Sequence, residues 1–136
     1  IKELNQNVFS NKKDYQSYTT LGDIYLAQRD SVKAMDMYQK AFKIKKNDTN
    51  ALIGSGNVYM AQNNHKTALD YFLKAAKKDK NNEKALINAA LCYKATGVPA
   101  KSSEFSQKAL KINPESDYVY YTMAQIGEVY ATSSLT

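Results

Sequence analysis

The stretches Leu21-Gly22-Asp23-Ile24-Tyr25, Ser55-Gly56-Asn57-Val58-Tyr59 and Ala89-Ala90-Leu91-Cys92-Tyr93 stand 34 residues apart, each closing on a tyrosine. The same interval separates Ala34 from Ala68, Tyr38 from Phe72, and Ala41 from Ala75 and then Ala109. No insertion or deletion breaks the register between residues 15 and 116. A fixed period of this length marks an architecture made by stacking one supersecondary unit.

Each unit reads as two helices. Tyr18, Leu21 and Tyr25 recur at helical spacing and form one apolar face, and Ala34, Met35, Tyr38, Ala41 and Phe42 form a second after Arg29-Asp30-Ser31. The pattern predicts helices near 15–28, 31–45, 49–62, 65–79, 83–96, 99–112 and 117–131. Ser31, Asp48 and Asn82 are N-cap candidates, and Asn-rich turns at 47–50 and 80–83 separate the units. Pro99 suits a helix start and Gly97 a helix end. No segment alternates with a period of two, so no strand is expected.

Composition narrows the class. The 136 residues are 43% hydrophobic and 24% charged, too apolar for a disordered tail. One cysteine excludes an internal disulfide framework. No apolar run is long enough to read as a membrane span, and the first residues lack a signal-peptide core, so the cytoplasm is the favoured compartment. The formal charge of +6 comes from 19 basic and 13 acidic residues, and Arg29 is the lone arginine. Proteins that read phosphates or bases favour the forked guanidinium of Arg, so this lysine-borne excess points only faintly to nucleic acid.

A 34-residue helix-turn-helix unit with Leu-Gly-x-x-Tyr, then Ala-x-x-x-Tyr/Phe, then Ala and a closing Pro resembles the tetratricopeptide repeat. The first unit carries Tyr18, Leu21, Gly22, Tyr25, Ala34, Tyr38 and Ala41, and the second Leu52, Gly56, Tyr59, Ala68, Phe72 and Ala75. The third keeps Leu86, Tyr93, Ala109 and Pro114 but has Ala90, Ser102 and Ser106 where the pattern wants Gly, Ala and Phe. Lys46 and Lys80 stand at the closing proline positions of the first two units. The resemblance implies an all-α, right-handed α-solenoid forming a single domain over 1–136. It divides into a preceding second helix (1–14), repeats at 15–48, 49–82 and 83–116, and the first helix of a fourth repeat with a tail (117–136). Ile1, Leu4 and Val8 would lie on that preceding helix. The last helix is rich in apolar residues, Val129 and Tyr130 among them, so the segment reads as part of a longer array whose end packs on another copy.

Catalysis finds little support in the residues. Cys92 shares a column with Ile24, Val58 and Ile126, which makes it a small buried apolar residue, and His65 opens a helix in the column of Ser31 and Pro99. One His and one Cys cannot close a metal site, and Gly54 and Gly56 lack the rest of a phosphate-binding loop. No enzyme, metal or cofactor is expected.

The concave side of the superhelix, as the resemblance implies, is the candidate site. Its stripes read Gln16, Thr19, Asp23, Leu26 on the first unit; Asn50, Ile53, Asn57, Met60 on the second; and Lys84, Ile87, Asn88, Leu91, Lys94 on the third, with Tyr118 and Tyr121 beyond. Ile53, Met60, Ile87, Leu91 and Tyr121 are expected to form an exposed apolar row, with Asn57 and Asn88 holding the backbone of a bound protein segment. Some family members bind the acidic tails of heat-shock chaperones through Lys, Arg and Asn; here Asn57 and Asn88 match, but Ile53, Tyr118 and Thr122 occupy the basic places. The expected partner therefore carries apolar anchors. Self-association is one alternative. Another is an acidic surface or nucleic acid meeting the lysine stripe Lys40, Lys43, Lys74, Lys77, Lys108 and Lys111, where no aromatic is obviously interleaved for base stacking.

Glycine inside a helix costs about 1 kcal/mol relative to alanine, so Gly22 and Gly56 need a compensating close approach of the paired helices. The alanines supply the other side in this reading: Ala34 and Ala41 against Gly22, Ala68 and Ala75 against Gly56. Gly56→Leu is expected to lower the melting temperature strongly, and an unchanged melting temperature would remove the close-crossing argument.

Overall fold

A computed structural model describes residues 14–127, and these form seven α-helices without a strand. They are α1 (Tyr15–Ala27), α2 (Ser31–Ile44), α3 (Thr49–Ala61), α4 (His65–Lys78), α5 (Glu83–Ala95), α6 (Pro99–Ile112) and α7 (Asp117–Ile126). Helices α1 and α2, α3 and α4, and α5 and α6 pack as antiparallel pairs, and α1 also touches α3 as α5 touches α7. The result is an all-α solenoid. Ile1, Leu4 and Val8, with Val129 and Tyr130, lie outside the described residues.

The helix starts follow the period. Side chains of Asp14, Asp48, Asn82 and Ser116, each 34 residues on from the last, accept the backbone N–H three residues ahead. That satisfies a donor the helix cannot pair internally. In the second helices the caps are Asp30 and Asn64, bonding Lys33 and Thr67. Asp30 thus replaces the expected Ser31, which is already helical. Val98 offers no side-chain cap, and Pro99 behind it has no N–H to satisfy. The turns inside the pairs are periodic too: Arg29, Asn63 and Gly97 all adopt positive φ, near 64°, 60° and 85°. Glycine and asparagine take this left-handed conformation with little strain.

Helix α7 ends at Ile126, short of the expected residue 131, because Gly127 turns left-handed at φ 82°. Gly127 occupies the column of Tyr25, Tyr59 and Tyr93, so the fourth copy has a helix stop where the others have a core ring. Tyr120, whose column mates Tyr18, Leu52 and Leu86 are buried, stays exposed.

Three buried clusters hold the stack, and each pair borrows its neighbour's first helix. Tyr18, Leu21, Ala34, Met37, Tyr38 and Ala41 close over Ala51 and Val58 of α3. Leu52, Ala68, Phe72 and Ala75 close over Ala85, Ala89 and Cys92 of α5, and Leu86, Ile87, Ala90 and Ala109 over Val119, Met123 and Ile126 of α7. Stability is therefore largely a sum of nearest-neighbour interfaces.

The glycines face aromatic rings, not the expected alanines. A Cβ built on Gly22 would lie 2.5 Å from the Tyr38 ring, and one on Gly56 2.6 Å from Phe72. Gly54 of the next pair also abuts Tyr38. Ala34, Ala41, Ala68 and Ala75 are buried, but the rings fill the gap the glycines leave. The third pair changes both partners: Ala90 stands in the glycine column and Ser106 in the ring column.

Ser102 and Ser106 on α6 are fully buried, and their hydroxyls have no hydrogen-bond partner among the described residues. A buried unpaired hydroxyl costs about 1–3 kcal/mol. Ser102→Ala restores the residue of its column, Ala34 and Ala68, and is expected to stabilise the fold by about 1 kcal/mol, a rise of roughly 4 °C in Tm by calorimetry. A lower Tm would show that the Ser102 hydroxyl is satisfied.

Candidate functional site

The first helices of the pairs line one face, and together with Tyr118 they enclose a groove of about 740 Å³. Gln16, Thr19, Asp23 and Leu26 reach it from α1, Asn50, Ile53 and Asn57 from α3, and Lys84 and Asn88 from α5. These positions lie three to four residues apart, so each helix presents one stripe. The capping residues Asp48 and Asn82 add their sides to the wall.

A hydrogen-bonded row crosses the groove. The Tyr118 hydroxyl donates to Asn88 Oδ1 at 2.7 Å, and Asn88 Nδ2 donates to Asn57 Oδ1 at 3.4 Å. Asn88 is 2% exposed, so this row ties α3, α5 and α7 together as well as lining the face. The amide nitrogen of Asn57 has no partner among the described residues. Burial raises the Tyr118 pKa, so the phenol stays protonated and remains the donor to Asn88. The Lys84 ammonium sits 5.7 Å from the Tyr118 ring centre.

At the other end, the Tyr38 hydroxyl donates to the Asp23 carboxylate at 2.5 Å. Burial first, and then the Asp23 hydrogen bond and charge, push the Tyr38 phenol far above its ordinary range, so it remains a donor. The ring beneath Gly22 and Gly54 therefore also orients a groove carboxylate. Asp48 is occupied by the backbone N–H of Ala51 at 3.0 Å and by the Lys45 ammonium at 3.7 Å.

The expected site residues divide. Asn50, Ile53, Asn57, Lys84, Asn88 and Tyr118 come together on the groove; Met60, Ile87, Leu91, Lys94 and Tyr121 are not among its lining. The exposed apolar row is corrected. Ile87 is completely buried with Ala90, Val119 and Met123, and Ile53 is 8% exposed. Met60 and Leu91 are half-buried against the core, and Tyr121 is 65% exposed. The apolar residues of the stripe are consumed between first helices, and amides, hydroxyls and a few charges remain. Sequence reasoning missed Thr20, Ala27, Asp48, Gly54 and Asn82 as wall residues. The two caps could have been found, since a cap sits one residue before the stripe's helix begins.

The lysine stripe also differs from its expectation, because aromatics do lie beside it. Lys74 is 5.8 Å from the Tyr71 ring centre and Lys108 4.9 Å from that of Phe105, each three residues along its helix. Lys40 pairs with Asp36 at 3.3 Å and Lys108 with Glu104 at 3.3 Å. Lys43, Lys74, Lys77 and Lys111 are exposed.

Family profiles described as tetratricopeptide repeat match residues 59–126 and 15–48. The chain belongs to the tetratricopeptide-repeat family, whose arrays are protein-interaction scaffolds. Among solved structures it is similar to the first tetratricopeptide domain of Spaghetti (RPAP3), bound to the HSP90 peptide SRMEEVD. The TM-score is 0.77 at 14% identity, over 89% of this chain and 96% of that one. The Sgt2 domain from Aspergillus fumigatus gives 0.77 at 18% identity over 90% and 83% of the two chains. MamA gives 0.76 at 16% over 94% and 75%. At these identities the likeness is one of fold. No curated protein matches the chain by sequence.

Cys92 and His65 stand on different helices, Cys92 buried in α5 and His65 opening α4. Among the described residues no cluster of three or more His, Cys, Asp or Glu is placed to hold a metal, and no helix is long and apolar enough to cross a membrane. Burial pushes the Cys92 thiol up to about 12, so the thiolate is scarce at any ordinary pH. In a thiol-reagent titration between pH 7 and 9 the native protein is expected to label far more slowly than the urea-unfolded chain. Equal rates would mean that Cys92 is accessible.

Proposed function

We propose that the groove binds an extended segment of a partner protein and that polar contacts to the segment's backbone dominate recognition. The observation that carries this is the Tyr118–Asn88–Asn57 row, which ends on an uncommitted amide nitrogen inside a groove of about 740 Å³. An amide offers donor and acceptor together, which suits the alternating N–H and C=O of an extended chain. Lys84 provides for a carboxylate at one end, and Asp23 for a basic or hydroxyl side chain at the other. Leu26 and Ile53 are the small apolar contacts. The fold likeness to the peptide-bound Spaghetti domain supports a segment lying along this face. An acidic chaperone-type tail fits poorly, because Ile53, Tyr118 and Thr122 stand at the basic places and Asp23 is acidic. The repeat boundaries at 48, 82 and 116, which coincide with caps, belong to the same proposal.

Selection from a displayed random-peptide library tests it. Bound peptides are expected to weaken about 2–13-fold toward Asn57→Ala, the value of a hydrogen bond of about 0.5–1.5 kcal/mol, and further when Lys84→Glu is added. The charge reversal Lys77→Glu with Lys111→Glu, away from the groove, should leave them unchanged. Undiminished affinity in the Asn57 and Lys84 variants, with helicity intact by circular dichroism, would overturn the reading.

A further inference from the structure

A second recess lies away from the groove, where α4, α5 and α6 meet, with a volume of about 530 Å³. Its floor is apolar: Leu73, Leu86, Phe105 and Ile112 line it. Leu86 is buried, Leu73 and Phe105 are half-buried, and Ile112 is exposed. Phe105 meets Tyr93 edge-on at 5.3 Å between ring centres. The rim is Lys77 and Lys80 on one side and Lys108 and Lys111 on the other, and no carboxylate belongs to the lining.

The charges do not cancel locally. Lys108 is paired with Glu104, which it shares with Lys101 at 3.7 Å. The C-terminal ends of α4 and α6 each contribute about half a negative charge near Lys77 and Lys111. Asp79, at the end of α4, turns its carboxylate toward Asn81 and Asn82. Four lysines against the carboxylates of Glu104 and Asp79, the latter bonded to the wall residue Asn81, and two helix ends leave roughly one positive charge facing an apolar recess. Lysine at a helix end alone would be ordinary solvation. Two such ends flanking an unfilled apolar floor are not.

We propose that this recess is a docking site, distinct from the groove, for an acidic segment of a partner protein whose large apolar side chains enter the floor while its Asp and Glu meet the four lysines. Charge complementarity names the occupant. Nucleic acid would want guanidinium forks, but the rim is lysine throughout. A membrane surface would want several protruding apolar side chains, whereas Leu73, Leu86 and Phe105 are recessed and only Ile112 of the four stands exposed. The volume lies within the ~300–1,000 Å³ of sites that bury a compact apolar group. This site does not depend on the groove reading, and either can fail alone.

The probe is a synthetic peptide of about 14 residues, roughly four helical turns, with Glu on one face and Leu and Phe on the other. Calorimetry and amide chemical shifts of the labelled protein, residues 1–136, read it out. Binding is expected at least about fivefold tighter than to a scrambled peptide of the same composition, with shifts centred on Leu73, Phe105 and Ile112. Lys77→Glu with Lys111→Glu should weaken it at least about fivefold, Lys77→Gln with Lys111→Gln less, and added salt should weaken it progressively. Equal binding of the scrambled peptide overturns the proposal, as do shifts centred on Asn57 and Asn88, or no effect of the lysine variants. Association with phosphatidylserine vesicles without peptide binding would assign the face to a membrane instead. Shifts that grow with protein concentration alone would assign it to a second copy. Both of these outcomes also overturn it.

Discussion

The contact on which the rest depends is an aromatic ring laid across a helix that has no side chain beneath it. Tyr38 occupies the space above Gly22 and Gly54, and Phe72 that above Gly56. A glycine in mid-helix loses about 1 kcal/mol, but a fully buried Tyr or Phe gains more than that from the water it leaves and the atoms it meets. Tyr38 touches glycines of two successive pairs, so one ring sets both the crossing within a pair and the approach of the next. The alanine columns around it keep the helices close enough for the ring to be completely covered.

Once the helices are spaced by these rings, the division of labour between faces follows. Large apolar side chains on the first helices are drawn between neighbours, as Ile87 is with Val119 and Met123. The residues left on the groove are those whose polar groups can stay near water or bond one another, namely Asn57, Asn88, Asp23 and Tyr118. The same Tyr38 that supports the stack also presents its hydroxyl to Asp23, so packing and site chemistry share a side chain. The basic excess of the composition sits elsewhere, mostly on the second helices, where two pairs of lysines overlook an apolar recess. The molecule therefore offers two faces of different chemistry, one rich in amides and hydroxyls, the other apolar with a positive rim.

The third pair departs from the pattern in a consistent direction. Ala90 in the glycine column and Ser106 in the ring column exchange one ring-and-gap match for a pair of small side chains. Ser102 replaces an alanine at a fully buried position as well. Its cluster is completed by Val119, Met123 and Ile126 from α7, which supply bulk that α6 lacks.

The sequence by itself determined the seven helices and the 34-residue register, because caps, turn residues and apolar faces act over three to five residues and recur at fixed intervals. Asp48 and Asn82 as caps, Gly97 as a turn and Cys92 as a buried column residue were all legible in this way. Only the tertiary structure decided which inner-face residues remain accessible. A stripe on one helix can be read from its spacing, but the neighbour that covers Ile87 lies some thirty residues away in α7, and its approach depends on side-chain volumes. The same holds for the ring-glycine contact: the spacing required some close approach, yet whether alanine or Tyr38 filled it was a question of three-dimensional packing. Local physics repeats along the chain and is visible in it, whereas burial belongs to pairs of distant residues and appears only when they meet.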